Sequence, residues 1–157
     1  MVGGDELRRT MRNFPSGVSV LTAGLEGQRI GVTIASLVSL SLGPPLVGVS
    51  IGRELAVHEL LRDAGAFGVS MLRGEQAALA AHFARGVPPI ALWEGIAVRE
   101  GSTGVPLLAD ALAWLECRIV AEHAVGDHTF FVGEVVTAEE GPSGTALVYR
   151  EHGYHAV

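Results

Sequence analysis

Between Arg29 and Arg53 no side chain is charged, yet hydroxyls recur at Thr33, Ser36, Ser39, Ser41 and Ser50. A run of that length could cross a hydrocarbon core of about 30 Å. Pro44 and Pro45 interrupt it, and the β-branched and small polar residues around them suit strands rather than a lipid-facing helix. The run predicts two buried strands joined by a Pro-Pro turn, with hydroxyls aimed at polar partners, of which a ligand pocket is one. Upstream, the spacing of Leu7, Met11 and Phe14 predicts an amphipathic helix over Asp5–Phe14, lying across the sheet and stopped by Pro15-Ser16-Gly17. Val18, Val20 and Leu21 open a strand that ends at Ala23-Gly24.

After Arg53 the period lengthens. Val57, Leu60 and Leu61 are spaced for a helix ended by Asp63-Ala64-Gly65, Phe67–Leu72 returns to a strand, and Glu75–Phe83 is a second helix rich in Ala and Leu. Arg85–Trp93, with Pro88-Pro89, and Gly101–Pro106 read as loops. From Leu112 alternation is clear: Ala113, Leu115, Cys117, Ile119 and Ala121 share one face, with Glu116, Arg118 and Glu122 on the exposed one. Val125-Gly126-Asp127 turns this strand back into His128–Val136, and Ala146–Arg150 and Tyr154–Ala156 close the chain. Six or seven strands, three helical segments and no internal repeat predict one mainly antiparallel barrel or sandwich over residues 1–157.

Composition narrows the chemistry. Hydrophobic residues make up 48% and charged ones 18%, an apolar excess that a second copy of the chain would cover. A net charge of -6 argues against nucleic acid as a partner. All eleven basic residues are Arg, so a Walker-type phosphate loop and Schiff-base chemistry are excluded, and no Gly-x-Gly-x-x-Gly is present. Cys117 is the single cysteine, and the N-terminus has no apolar signal core; both predict a reduced, cytoplasmic setting without membrane attachment.

Several side chains admit two readings. His128, at a hairpin tip, could contact a bound ring or move a proton, or it could merely begin a strand after a turn capped by Asp127. The hydroxyls of Thr33, Ser36, Ser39 and Ser41 could bind a nucleotide, or bond to neighbouring backbone. Arg53 and Arg85 could neutralise a phosphate or simply face solvent. The six histidines lack metal-ligand spacing, so no metal is expected. Cys117 reads as a small buried hydrophobe, and Trp93 and Trp114 as core or interface.

Taken in order, Met11-Arg-Asn-Phe-Pro-Ser-Gly-Val-Ser-Val-Leu-Thr, the segment Gly31 to Val47, Leu112-Ala-Trp-Leu-Glu-Cys-Arg, Gly126-Asp-His-Thr-Phe-Phe-Val-Gly-Glu-Val and Leu147-Val-Tyr-Arg-Glu-His-Gly-Tyr resemble the flavin reductase family, the small partner of two-component flavin-dependent monooxygenases. The resemblance implies a mainly β, Greek-key split barrel with a few short helices, a homodimer that binds FMN or FAD at the subunit interface and passes hydride to it from NADH or NADPH. It places Thr33, Ile34, Ala35, Ser36 and Ser39 along the isoalloxazine and ribityl chain. Ser50, Ile51, Gly52, Arg53, Val57, Phe83 and Ala84 fall near the phosphate, and His128 and Tyr154 on the nicotinamide side, His128 as the catalytic candidate. One loop departs from the family pattern: Gly52-Arg-Glu-Leu-Ala-Val-His58 lacks three expected hydroxyls and adds Glu54, leaving Arg53 as the evident counter-charge. The implied activity is NAD(P)H:flavin oxidoreduction that supplies reduced flavin to a monooxygenase. A flavin carrier with little turnover, or a barrel that acts through its dimer surface, are the alternatives.

Overall fold

The computed structural model describes residues 1–86 and 89–157. In chain order the elements are α1 (Gly4–Met11), β1 (Ser16–Gly17), β2 (Ser19–Leu25), β3 (Gln28–Ile34), β4 (Val38–Leu42), β5 (Pro45–Gly52), α2 (Ala56–Ala64) and β6 (Ala66–Met71). There follow α3 (Ala77–Phe83), α4 (Pro89–Leu92), β7 (Val98–Glu100), β8 (Pro106–Leu108), β9 (Ala113–Val125), β10 (His128–Glu140), β11 (Leu147–Arg150) and β12 (Gly153–Ala156). A seven-stranded antiparallel sheet runs β3-β2-β6-β9-β10-β5-β4, beside a β1-β11-β12 sheet and the β7-β8 pair. The molecule is therefore mainly β with few short helices, as the alternation predicts.

β2 is buried on both faces from Ser19 to Ala23, so Val20, Leu21 and Ala23 all lie in the core and Ser19 and Thr22 are buried with them. Leu21 joins a core with Val49, Ile51, Phe67, Phe131 and the inner face of α2, Val57 and Leu61. Val20 joins a second core with Phe83, Trp93 and Leu147. Each large side chain so buried contributes roughly 1.5–3 kcal/mol. Trp93, Trp114 and Cys117 all lie in cores, as their surroundings in sequence predict.

Four expectations need correction. First, the uncharged run is not two equally buried strands: β5 is largely buried, whereas β4 is an exposed edge strand, with Leu42 91% exposed. Second, α1 buries no residue; Leu7 is 58% and Phe14 63% exposed, so its apolar face is uncovered in the single chain rather than laid across the sheet. Third, Glu116 is buried on the strand face assigned to solvent. Its carboxylate accepts from the amides of Ser102 and Thr103 and from both their hydroxyls, so the β7–β8 loop folds over it. The segment expected to be a loop over Arg85–Trp93 contains α4, while Val87 and Pro88 lie outside the described residues. No helix among the described residues is long and apolar enough to cross a membrane.

Candidate functional site

The end of β3 is fastened to its surroundings by the first two hydroxyls of the series. Thr33 Oγ1 donates to the Ala80 carbonyl on α3 at 2.5 Å. Ser36 Oγ accepts from the Ser50 amide and donates to the Ser50 carbonyl, both at 3.1 Å. The Ser36 bonds join the β3–β4 connection to β5 at Ser50. For Thr33 and Ser36 the backbone-bonding reading is the one observed. Ser39 is exposed on β4, where it pairs with Val47.

Beyond Ser50, β5 runs out through Ile51 and Gly52 into Arg53, and α2 begins at Ala56. Here a groove of about 430 Å³ opens, walled in part by Gly31, Glu54, Ala56, Val57, Phe83 and Ala84. Three predicted cofactor residues, Val57, Phe83 and Ala84, thus meet around one space. Gly31 makes the close approach possible: a Cβ there would lie 2.8 Å from the Phe83 ring. At the start of α2, Leu55 occupies the N-cap and supplies no side-chain hydrogen bond. The start of α2 therefore has no side-chain cap beside the groove; the His58 amide donates to the Leu55 carbonyl at 2.9 Å, and for the amides before it an anion is a natural acceptor. Glu54 is the acid on that wall.

His128 is half-exposed at the first position of β10, paired with Gly52 on one side and Val125 on the other. Gly126, at φ +58, makes the tight turn possible. The Arg53 amide donates to the Asp127 carbonyl at 3.1 Å, so the hairpin tip is pinned to the loop after β5. His128 Nδ1 lies 2.7 Å from Asp127 Oδ1, and the hydrogen bond from the imidazole holds the Asp127 carboxyl below its usual range. The structure therefore brings His128, Gly52 and Arg53 together.

A neighbouring histidine, the last residue of the Gly52–His58 loop, was not among the predicted site residues. His58 is buried, with Nε2 2.8 Å from Thr129 Oγ1, Nδ1 3.0 Å from Glu59 Oε1 and its ring edge-on to Phe131. It fixes α2 to the residue after His128, a link no local periodicity encodes. Tyr154 stands apart, on the three-stranded sheet that carries none of the other candidates, its ring 5.3 Å from that of Tyr149. Burial, and then Tyr149, push its hydroxyl pKa up. The Cys117 thiol is pushed up to about 12, first by burial and then by Glu116, which leaves it inert at neutral pH. Among the described residues no group of three or more His, Cys, Asp or Glu is placed to hold a metal ion.

Val38 and Leu40 leave apolar surface exposed on β4, and the start of α2, which has no side-chain cap, follows the loop that carries Arg53. The class these elements define is a mainly β domain with a groove between the end of β5, the start of α2 and α3. The chain belongs to the flavin reductase-like domain family, which matches residues 11–157. It is 38% identical over 149 residues to an NADH-dependent FAD reductase of Streptomyces globisporus, covering 92% of this chain and 80% of that one. It is 40% identical over 150 residues to the reductase component of 4-hydroxyphenylacetate 3-monooxygenase of Thermus thermophilus, covering 96% and 94%. The crystal structure of BorF, the flavin reductase component of a bacterial two-component tryptophan halogenase, superposes with a TM-score of 0.92 at 34% identity, covering 99% and 98%.

Proposed function

We propose that this protein is an NADH-using flavin oxidoreductase that reduces FAD or FMN and supplies the reduced flavin to a partner flavin-dependent monooxygenase. The observation that carries the reading is the match to flavin reductase domains over residues 11–157, nearly the whole chain. When bound, the flavin supplies a two-electron acceptor for the hydride of the nicotinamide. The protein's part is to stack the two rings at a contact of about 3–3.5 Å and exclude water from between them.

The proposed division of labour follows the elements. Ile34, Ala35, Ser36 and Ser39 line the ring and ribityl chain; Ser50, Ile51, Gly52, Arg53 and Val57, with Phe83 and Ala84, border the phosphate. His128 donates from Nδ1 to Asp127, which leaves Nε2 to accept from the nicotinamide carboxamide, and Tyr154 closes the far side. In this reading the sheet is a split barrel, because Ser36 ties the connection between edge strands β3 and β4 across to β5. The active form is a homodimer in the cytoplasm, for which the uncovered faces of α1 and β4 supply apolar surface.

Glu54 on the phosphate side favours a second reading, a flavin carrier with little turnover. Steady-state oxidation of NADH with added FMN or FAD separates the possibilities. Turnover is the expected result; tight binding without turnover establishes the carrier, and neither leaves a protein that acts through its surface alone.

A further inference from the structure

The first turn of α2 borders the groove through Ala56 and Val57, yet no side chain caps it. Val57 and Leu61 bury the apolar face of the helix in the core. Contacts of that kind are non-directional: they hold a helix against a sheet without fixing how far it turns or slides. A directional contact comes from His58, buried on the same helix. Its Nε2 lies 2.8 Å from Thr129 Oγ1 and its Nδ1 3.0 Å from Glu59 Oε1, with the ring edge-on to Phe131. A carboxylate only accepts, so Nδ1 of the neutral ring carries the hydrogen and Nε2 accepts from the Thr129 hydroxyl.

Two adjacencies along the chain extend the reach of this bond. His58 follows Val57, which walls the groove, and Thr129 follows His128, the hairpin histidine. The strand end is itself registered on β5, with His128 opposite Gly52 and Thr129 opposite Ile51. One buried bond therefore ties the first turn of α2 to the strand that carries His128, beside a loop, Gly52 to Leu55, that has no hydroxyl of its own. One helical turn further on, Arg62 Nη2 lies 3.1 Å from Glu122 Oε1 on β9, but both side chains meet solvent and such pairs contribute little.

We propose that His58 is a positioning residue for flavin reduction: through Thr129 it sets the start of α2, where the flavin phosphate is assigned, against the strand of His128, and so fixes the flavin relative to the nicotinamide. The inference rests on the oxidoreductase reading, and one arm of its test needs no turnover. Four variants of the intact protein are compared at a temperature well below the Tm of each. His58→Leu keeps apolar bulk and removes both ring nitrogens; Thr129→Val keeps volume and removes the hydroxyl; His58→Gln keeps an acceptor and a donor; Arg62→Ala breaks the exposed tie alone. Fluorescence quenching reads the affinities for FMN and for riboflavin, which lacks the phosphate, and steady-state kinetics at saturating flavin read kcat and the KM for NADH.

His58→Leu and Thr129→Val are each expected to weaken FMN about tenfold while riboflavin stays within about twofold, and to lower kcat about tenfold with little change in the KM for NADH. The double variant should be no worse than either single one, because both remove the same bond. His58→Gln should recover most of the loss, and Arg62→Ala should match wild type in all four constants. A lower Tm with FMN affinity and kcat intact in His58→Leu overturns the proposal and leaves His58 a packing residue. Multiplied losses in the double variant, or an equal loss in Arg62→Ala, overturn it as well. Where His58→Leu does not fold, Thr129→Val, which keeps the core filled, decides the matter. Should wild type bind flavin but oxidise no NADH, the oxidoreductase reading falls, and the ratio of FMN to riboflavin affinity still upholds or overturns the placement of α2 by His58.

Discussion

Glu54→Ser gives the most direct measure of how the groove holds a flavin phosphate. The Glu54 carboxylate folds back over the end of β5, since a Cβ on Gly52 would sit 3.2 Å from Glu54 Oε1, and it shares the groove wall with Ala56 and Val57. A phosphate seated on the first amides of α2 would lie roughly 6 Å from that carboxylate. Coulomb's law then gives about 1 kcal/mol of repulsion per unit charge at the high effective dielectric of an exposed site. Glu54→Ser removes that repulsion and restores one hydroxyl, so FMN affinity should rise about fivefold. Riboflavin, which has the same ring and no phosphate, is the internal control and should be bound no tighter. The assay is flavin fluorescence quenching by wild type and variant at low and high salt; the FMN gain should shrink at high salt. Loss of the acid preceding α2 costs the helix about 0.3–1 kcal/mol, a small drop in Tm. Equal tightening of riboflavin and FMN, or no tightening of either, would refute the placement of the phosphate at this helix start.

The remaining expectations concern separate parts of the molecule. His128→Ala should raise the KM for NADH while leaving flavin affinity within about twofold, as measured by steady-state kinetics beside a flavin titration; unchanged NADH kinetics would remove His128 from the site. Burial pushes the Glu116 carboxyl up, but the hydrogen bonds from Thr103 and Ser102 outweigh it and leave the pKa below its reference of 4.5. Its stabilisation is therefore present above pH 4.5 and lost as pH falls through the lower folded value. Glu116→Gln should cost about 1.5–3 kcal/mol in urea melts at pH 7, with the gap to wild type closing in acid. Cys117, with its thiol pushed to about 12, should resist iodoacetamide at pH 8 in the native protein and react once urea unfolds it. Leu7→Ser with Met11→Ser should shift sedimentation toward the monomer, because the face they remove from a subunit contact is the exposed one on α1.

What was legible in the sequence follows from where each signal is local. The β9–β10 hairpin is written in a period of two and a Gly-Asp turn, and α2 and α3 in apolar residues three and four apart, so these elements emerge close to their predicted places. The burial of Glu116 was illegible because the Ser102-Thr103 loop that satisfies it lies more than a dozen residues away in sequence. Alternation placed Glu116 outside, and a distant loop then covered the outside. β4 was misjudged for the opposite reason: its residues are apolar enough for a core, but among the described residues of the single chain they stay largely exposed. Of the site, sequence pattern supplied the groove-lining Val57, Phe83 and Ala84 and the hairpin histidine, and missed His58, whose partners Thr129 and Phe131 are brought by tertiary packing.

The fate of the hydroxyls reshapes the account of the site. Thr33 and Ser36 were natural candidates for flavin donors, yet their oxygens already hold β3 to α3 and to β5. Their part is therefore to position backbone: Thr33 sets α3, and with it Phe83 and Ala84, against the groove, and Ser36 registers the β3–β4 connection on Ser50. Donors offered to a ligand then come from the main chain, from Arg53 and from hydroxyls such as that of Ser39, which stays exposed. Backbone donors recognise shape and the edge of a ring without adding charge, so they suit a cofactor whose charge changes on reduction and which must leave for another enzyme. A sparse phosphate hold serves the same end, since strong cations on that group would slow release of the product.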